Sequence, residues 1–272
     1  MPKDKYRKVF FEKELNNLRE KIILNHKKCG GTGFTEKLVK DESPIIKRKI
    51  VVPCSCRKKY EKLSKFMISN VPYDILVNQH IYGKLVTDSI SSEVIELRKE
   101  IVYPYIKKIK EVANNPYGLV FLGKNGTGKT FVGLKILYYA IINELEVFNI
   151  DMSGLLELSR KSFDRNSSAG NLLDEISSVD FLMIDEVGNE SKRSSYSVSE
   201  FKNLLKKRVT LRKPTILVSN FLYKDFKKEY GKSIDSIVAA HFKILDFSKA
   251  ADVRKTKCRG EMDLFFKKIK RK

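Results

Sequence analysis

The chain has 272 residues, of which 42% are hydrophobic, enough for one core of roughly 150 residues beside a smaller module. It carries 54 Lys and Arg against 33 Asp and Glu, for a formal net charge of +21. We expect a soluble, intracellular protein, because no apolar run approaches the ~20 residues that span a bilayer and none follows the basic N-terminus as in a signal peptide. The charge favours contact with a polyanion such as nucleic acid; a lysine-rich solvated surface is the alternative.

An amphipathic helix is predicted near the N-terminus. Four apolar residues recur at steps of four, three and four residues: Phe11, Leu15, Leu18 and Ile22. This spacing places them on one face of a helix over about residues 5–25. A segment rich in Gly and Cys follows from 29 to 56, and then a short helix over 57–67. That helix ends before Val71-Pro72, because the residue before a proline avoids helical backbone angles.

The middle of the chain is predicted to be helical and the rest to alternate between strands and helices. An apolar stripe over 94–112 indicates a helix that Pro104 interrupts, and a turn cluster follows at 114–118. We therefore expect an N-terminal domain that contains the Gly/Cys segment, a helical linker and a C-terminal domain, at residues 1–70, 71–115 and 116–272.

The C-terminal domain contains short, continuous apolar runs separated by helical stretches. The runs lie at residues 119–122, 147–150, 181–184, 215–218 and 244–247. Such runs are typical of strands buried on both faces. Strands that alternate with helices predict an α/β fold with a parallel sheet between layers of helices.

A phosphate-binding loop follows the first of these strands. It matches the pattern G-x-x-x-x-G-K-T without a mismatch: Gly123-Lys124-Asn125-Gly126-Thr127-Gly128-Lys129-Thr130. Glycines let the backbone wrap around phosphates, and the helix that follows over 131–142 presents its positive end to them. We expect Lys129 to contact the β- and γ-phosphates and the Thr130 hydroxyl to ligate Mg²⁺. The sequence therefore predicts a nucleoside triphosphate site, for ATP with Mg²⁺.

Two further strands end in polar residues that suit hydrolysis. The run at 181–184 leads into Asp185 and Glu186, as in a Walker B motif. Asp185 would hold the Mg²⁺ and Glu186 would polarise the attacking water. The run at 215–218 ends in Ser219-Asn220, and Asn220 is predicted to orient the same water as a sensor 1 residue.

Four potential metal ligands occur as two pairs. His26 and Cys29 are followed, after 24 intervening residues, by Cys54 and Cys56. Two such pairs suit a tetrahedral Zn²⁺, and four protein ligands leave no open position, so the site would be structural. The alternative is three unpaired cysteines and a surface histidine. Cys258 stands apart and is expected to be a free thiol.

The order of these motifs resembles one family. The chain carries His26-x-x-Cys29-Gly-Gly-Thr-Gly, then Pro53-Cys-Ser-Cys-Arg57, a helix, Val71-Pro-Tyr73 and the nucleotide motifs. This order is similar to that of the bacterial and phage replicative helicase loaders of the DnaC/DnaI type, which are AAA+ ATPases related to the IstB transposition ATPases. The resemblance covers essentially the whole chain. His26 stands where the family commonly has Cys, and imidazole also ligates zinc.

The resemblance implies a fold and a set of partners. The fold is a P-loop AAA+ (ASCE) parallel sheet flanked by helices, preceded by a small helical zinc-binding domain that docks on a hexameric replicative DNA helicase. The ATPase domain would self-associate as a spiral and contact single-stranded DNA, in the cytoplasm of a bacterium or of a phage-infected host. The segment 250–255 resembles the family's sensor 2, so Arg254 would approach the γ-phosphate.

One feature departs from the family. Its members carry arginines in the helix after sensor 1, where this chain has Ala239-Ala240-His241, and no arginine lies between Lys213 and Arg254. A missing arginine finger costs about 10³–10⁵ in rate in other phosphoryl-transfer systems. Either another basic residue substitutes or a partner activates hydrolysis; the candidates are Arg208, Lys232 and Lys243.

Three functions are compatible with these features. The first is an ATP-dependent loader that brings a replicative helicase onto single-stranded DNA, and the zinc module favours it. The second is an IstB-like transposition ATPase that binds DNA and recruits a transposase. The third is an adaptor that binds nucleotide with little turnover; Glu186 and Asn220 argue against it. Phe163 and Tyr196 are able to stack on bases, but packing explains them equally well.

Overall fold

The N-terminal part of the chain combines short helices with a two-stranded hairpin. The computed structural model describes residues 4–40, 47–72, 92–164, 167–189, 194–250 and 252, and the chain forms two units, residues 1–69 and 70–272. The first unit contains α1 (Lys5–Phe10), α2 (Glu12–Arg19), a π-helical turn (Glu20–Leu24), a 3₁₀ turn (Lys27–Cys29), β1 (Phe34–Lys40), β2 (Lys47–Pro53) and α3 (Ser55–Ile68).

This unit differs from the sequence prediction in two places. The helix predicted over 5–25 is interrupted at Phe11, whose φ of −103° and ψ of 20° are not helical. No strand is predicted between residues 29 and 56, yet β1 and β2 pair antiparallel across this segment. Among the described side chains of β1 and β2 none is buried, and Leu38 and Val51 are 58% and 70% exposed. Adjacent apolar residues, as at 38–39 and 50–52, also break the alternation that identifies a strand in a sequence.

Five parallel strands form the centre of the second unit. They are β3 (Gly118–Leu122), β4 (Val147–Asp151), β5 (Phe181–Val187), β6 (Thr215–Ser219) and β7 (Phe242–Asp246). Their order in the sheet is β4-β5-β6-β3-β7, and every neighbouring pair is parallel. All residues of β3 and β6 are buried, as continuous apolar runs predict. The predicted parallel sheet is confirmed, and β7 begins two residues before the apolar run that marks it.

Helices flank this sheet. They are α4 (Ser92–Leu97), a π-helical turn (Arg98–Val102), α5 (Tyr103–Lys107), α6 (Ile109–Val112), α7 (Lys129–Ile142), α8 (Met152–Lys161), α9 (Ala169–Ser178), α10 (Ser195–Thr210) and α11 (Tyr223–His241). Asp151 caps α8 by accepting a hydrogen bond of 2.6 Å from Gly154 N. Gly133 lets α7 approach β5, because a Cβ there would lie 2.8 Å from the Met183 sulfur. Among the described helices, none combines the length and hydropathy needed to span a membrane.

The helices before β3 belong to the second unit. The ring of Tyr105 meets the ring of Phe181 edge-on at 6.2 Å, and its hydroxyl donates to Tyr117 O at 3.1 Å. Pro104 lies in the first turn of α5, directly after the π-helical turn, where its missing N–H costs little. The limits at residues 70 and 115, and the role of 71–115 as a linker, stay predictions; residues 73–91 lie outside the described part.

Arg208 holds three segments of the second unit together. Its side chain is completely buried, and its guanidinium donates to Thr215 Oγ1 at 2.8 Å. It also donates to the backbone carbonyls of Ser177, Val179 and Pro214 at 2.8, 3.0 and 2.6 Å. Burial lowers the pKa of Arg208 to about 9, although the charge of Asp180 acts in the opposite direction. The suggestion that Arg208 substitutes for an arginine finger is therefore wrong, because a buried guanidinium bound to carbonyls cannot enter a neighbour's site.

We expect Arg208→Ala to destabilise the protein by about 3–5 kcal/mol, because several buried carbonyls lose their donor at once. For a unit of this size that corresponds to a fall in melting temperature of about 6–20 °C, measured by calorimetry. Arg212→Ala is the control, since Arg212 is exposed and reaches Asn114 O at 3.2 Å. Equal melting temperatures for both variants would contradict the structural role of Arg208.

Candidate nucleotide site and metal centre

The phosphate loop connects β3 to α7, and its glycines are required by the backbone. Gly123, Gly126 and Gly128 have φ of 132°, 79° and 88°, in the region that residues with a Cβ avoid. A Cβ at Gly123 would also lie 2.6 Å from the Phe247 carbonyl carbon, so β7 and the loop approach too closely for any side chain there. Gly128 precedes the first residue of α7, so the loop opens onto a helix N-terminus that favours anions.

Lys129 lies inside this loop. Its side chain is 4% exposed, and its ammonium donates to Gly123 O and Lys124 O, both at 2.7 Å. Thr127 is also buried and donates to Lys124 O at 3.0 Å. The loop thus holds a lysine charge next to its backbone, which is the arrangement that polyphosphate binding needs.

Asp185, at the end of β5, lies beside the start of α7. The Thr130 hydroxyl hydrogen-bonds the Asp185 carboxylate, and Lys129 contributes a favourable charge. Burial nevertheless raises the pKa of Asp185, and the Asp151 carboxylate raises it further. A divalent cation at this carboxylate would oppose both effects. The structure therefore brings together Thr130 and Asp185, the two residues predicted to hold Mg²⁺, although they are far apart in sequence.

Glu186 has an unusual backbone. Its φ is +54°, which is uncommon for a residue with a Cβ, and its side chain is exposed. The register between β5 and β6 shifts between Ile184 and Val187, so Asp185 and Glu186 form an irregularity in β5. The backbone N–H of Glu186 donates to Asp185 Oδ1 at 2.8 Å. A strained, exposed carboxylate at the end of a buried strand suits a residue that acts on a bound molecule.

Asn220 follows β6 directly. Because β6 lies between β3 and β5, Asn220 emerges at the same edge of the sheet as the phosphate loop and Glu186. It is half-buried. Asp252 also reaches this edge, since its carboxylate lies where a Cβ of Gly126 would be. Arg254, the predicted sensor 2 residue, and Cys258 lie outside the described residues.

The four predicted metal ligands converge in the first unit. Their ligand atoms all lie within 4.8 Å of one another, although the two pairs are separated in sequence. Cys29 Sγ is 3.5 Å from Cys56 Sγ, and His26 Nδ1 is 3.4 Å from Cys29 Sγ and 3.6 Å from Cys54 Sγ. Burial raises the pKa of the Cys56 thiol to about 11, and the hydrogen bond and charge of Cys29 act in the same direction.

These separations fit the edges of a tetrahedron around zinc. Zinc–sulfur bonds of about 2.3 Å and zinc–nitrogen bonds of about 2.0–2.1 Å predict S···S edges of about 3.8 Å and S···N edges of about 3.6 Å. Gly31 permits the tight turn beside the cluster, because its φ is 81° and a Cβ would lie 2.7 Å from Leu24 O. The donor set and the spacing therefore both fit a metal ion with four protein ligands.

An aromatic pair, one exposed ring beside one half-buried ring, lies near the end of α8. Phe163 is 72% exposed, and its ring centroid is 6.3 Å from that of Tyr196 in α10. The Tyr196 hydroxyl is fixed by Ser159 Oγ at 2.8 Å. The neighbouring Arg160 and Lys161 are exposed. From the sequence, base stacking and packing explain these rings equally well. The exposure of Phe163 favours stacking, because a packing residue would be buried.

The fold and the site define a class of protein. A parallel sheet in which β6 lies between the phosphate-loop strand and the Asp-Glu strand, with flanking helices, is the AAA+ nucleotide-binding fold. Residues 106–246, slightly more than half of the chain, match the family model described as IstB-like ATP binding protein. The chain therefore belongs to this family of ATP-binding proteins.

Individual relatives agree with this assignment. The chain is 29% identical over 127 residues to the replicative helicase loader DnaC of Buchnera aphidicola subsp. Acyrthosiphon pisum, covering 46% of this chain and 51% of that protein. It is 27% identical over 128 residues to the DnaC of Escherichia coli K12, with coverages of 46% and 51%. The chain thus spans about half the length of the curated relatives it matches. The AMPPCP-bound DnaA structure from Aquifex aeolicus has a TM-score of 0.51 and 17% identity, covering 66% of this chain and 55% of that chain, so it supports the fold alone.

Proposed function

We propose that this protein is an ATP-dependent loader that delivers a replicative DNA helicase onto single-stranded DNA. The observation that carries the proposal is the convergence of the phosphate loop, Asp185-Glu186 and Asn220 at one edge of the sheet. This site lies within the family match, and the matched relatives are named as replicative helicase loaders.

The site residues have separate roles in the proposed hydrolysis. Lys129 and the loop backbone bind the triphosphate, and Thr130 with Asp185 would hold Mg²⁺, which neutralises charge on the phosphates. Glu186 accepts a proton from the attacking water, and Asn220 orients that water. Arg254 would contact the γ-phosphate as sensor 2. Since α11 carries Ala239 and Ala240 in place of an arginine finger, a partner or another basic residue, such as the exposed Lys232 or Lys243, would complete the site.

Zinc is the metal that we propose for the cluster in the first unit. Three thiols and one imidazole form a soft, four-coordinate donor set, and zinc is the common metal for such closed sites in proteins. Bound there, zinc would join the turn before β1 to the start of α3 and so order a unit with little apolar core. We propose that residues 1–70 dock on the hexameric helicase.

The main test measures helicase loading by the full chain. The expected result is that the full chain binds the hexameric helicase and transfers it to single-stranded DNA coated with single-strand binding protein, in the presence of ATP. A chelator is expected to abolish helicase binding. Helicase binding that survives deletion of residues 1–69 would contradict the assigned docking domain.

Phe163→Ala should weaken single-stranded DNA binding by about 5- to 150-fold, because stacking of a base on an aromatic ring contributes about 1–3 kcal/mol. The measurement is fluorescence anisotropy with a labelled oligonucleotide at fixed salt, since phosphate contacts make the affinity depend on salt. Phe10→Ala is the control, because Phe10 is an exposed phenylalanine of the first unit. If both variants bind DNA like the wild type, the aromatic pair is a packing feature.

The family match also supports a second function, an IstB-like transposition ATPase. Such a protein would bind duplex DNA and recruit a transposase. The two functions differ in DNA preference and in partner: a loader prefers single strands and binds a helicase. Comparable anisotropy titrations with duplex and single-stranded oligonucleotides, together with helicase capture, distinguish them.

A further inference from the structure

Ser219, the last residue of β6, is hydrogen-bonded both to the end of β5 and to the segment that follows β6. Ser219 is 1% exposed, and its hydroxyl donates to Val187 O at 2.6 Å. The same oxygen accepts a hydrogen bond of 3.2 Å from Phe221 N. The Ser219 hydroxyl thus donates one hydrogen bond and accepts another, so this buried polar group is satisfied.

The Val187 contact lies where the β5–β6 ladder resumes. Regular pairing ends at Ile184 with Leu217 and continues at Val187 with Ser219, so Asp185 and Glu186 occupy the irregular interval. The hydrogen bond from the Ser219 hydroxyl to Val187 O therefore holds β5 against β6 at the residue that follows Glu186. The backbone strain at Glu186, whose φ is +54°, needs such a constraint to persist.

Phe221 is fixed by the phosphate loop and by the segment after Glu186. Its carbonyl accepts a hydrogen bond of 3.0 Å from Gly123 N, in the first residue of the loop. Its ring lies so close to Gly188 that a Cβ at Gly188 would collide with it. Asn220 therefore lies between two residues that are each anchored to another part of the site.

We propose that Ser219 is a positioning residue for ATP hydrolysis, whose hydroxyl keeps Asn220 and Glu186 at a fixed separation around the attacking water. The proposal rests on the proposed ATPase function. Neither residue assigned to the water is supported by a long regular element: Glu186 lies in the irregular part of β5, and Asn220 lies beyond the end of β6. The Ser219 hydroxyl links the residues next to these two positions, since it donates to Val187 O and accepts from Phe221 N. Small displacements at a reacting centre have large effects on rate.

The test uses full-length variants, with nucleotide affinity and single-turnover hydrolysis measured separately. Ser219→Ala is expected to lower the hydrolysis rate by about 10- to 100-fold and to change the nucleotide Kd by less than about twofold. Ser219→Thr, which keeps the hydroxyl, should restore most of the rate. In the Asn220→Ala background, Ser219→Ala should add little, because both changes remove the same alignment of water.

Ser177→Ala is the matched control. Ser177 is also 1% exposed and also donates to a backbone carbonyl, that of Leu173, but it lies in α9. Its variant should hydrolyse ATP like the wild type. If Ser219→Ala does not fold, Ser219→Cys serves in its place, since a thiol fills the space with a weaker hydrogen bond.

The outcomes separate the two proposals. A wild type that binds ATP but does not turn it over, with DNA and helicase present, removes the proposed ATPase function and this inference with it. A wild type that hydrolyses ATP overturns the inference alone if Ser219→Ala has an unchanged rate. The inference also fails if the Ser219 and Asn220 effects multiply independently, or if Ser177→Ala lowers the rate equally.

Discussion

Glu186→Gln is expected to reduce ATP turnover by about 10²–10⁴-fold while nucleotide binding stays close to that of the wild type, because the amide cannot accept a proton from water. The exposed carboxylate of Glu186, on a strained backbone in the irregular last part of β5, is the group on which this prediction depends. Phosphate release under single-turnover conditions, beside equilibrium binding of a fluorescent nucleotide, measures the two quantities separately.

A control for this substitution is Glu144→Gln. Glu144 is also exposed and also has a positive φ, of 66°, but it follows α7 rather than β5. Its variant should hydrolyse ATP at the wild-type rate. Equal turnover by the wild type and by Glu186→Gln would show that Glu186 does not activate water. Absence of turnover in the wild type itself would favour a nucleotide-binding adaptor.

Removal of zinc is expected to unfold the first unit. Structural zinc contributes about 10–16 kcal/mol of apparent folding free energy in small modules, more than a unit with a small apolar core supplies. Cys54→Ser, or treatment with a strong chelator, should therefore abolish the cooperative melting of this unit and its binding to the helicase. Metal analysis of the wild type should give one zinc per chain, and circular dichroism follows the unfolding.

His26 provides a matched pair of variants for this prediction. His26→Cys keeps four ligands and should retain zinc, whereas His26→Ala leaves three ligands and should bind it more weakly. Competition with a zinc-binding dye measures both affinities. A wild type that purifies without metal and melts unchanged in chelator would contradict the assignment and leave the cluster as three unpaired thiols beside a histidine.

The phosphate loop was predictable from a local pattern in the sequence, whereas the roles of the individual site residues stay predictions. The phosphate loop is continuous in sequence, and its chemistry depends on backbone angles that only glycine adopts easily, so the pattern and the structure coincide. The β-strands were identified for a similar reason: buried parallel strands are continuous apolar runs. The hairpin of β1 and β2 was missed because adjacent apolar residues at 38–39 and 50–52 break the alternation that marks a strand with one buried face.

Spacing also predicted which four Cys and His side chains lie together, although not their geometry, and their binding of a metal stays a prediction. The sequence shows the ligands as two pairs, His26 with Cys29 and Cys54 with Cys56. The distances between the pairs depend on the antiparallel pairing of β1 with β2, which brings the second pair back beside the first. The role suggested for Arg208, by contrast, was not predictable from the sequence. An arginine looks the same in a sequence whether it is exposed or buried, and burial decided its role.

The sequence by itself determined that this is an ATP-binding α/β protein with a Cys/His cluster, because those features consist of residue types at short, fixed spacings. Only the tertiary structure decided which distant residues act together. The insertion of β6 between β3 and β5 brings Asn220 to the phosphate loop, and the Ser219 hydroxyl reaches Val187 across that pairing. Such contacts depend on strand order and register, which long-range packing sets and no local spacing encodes.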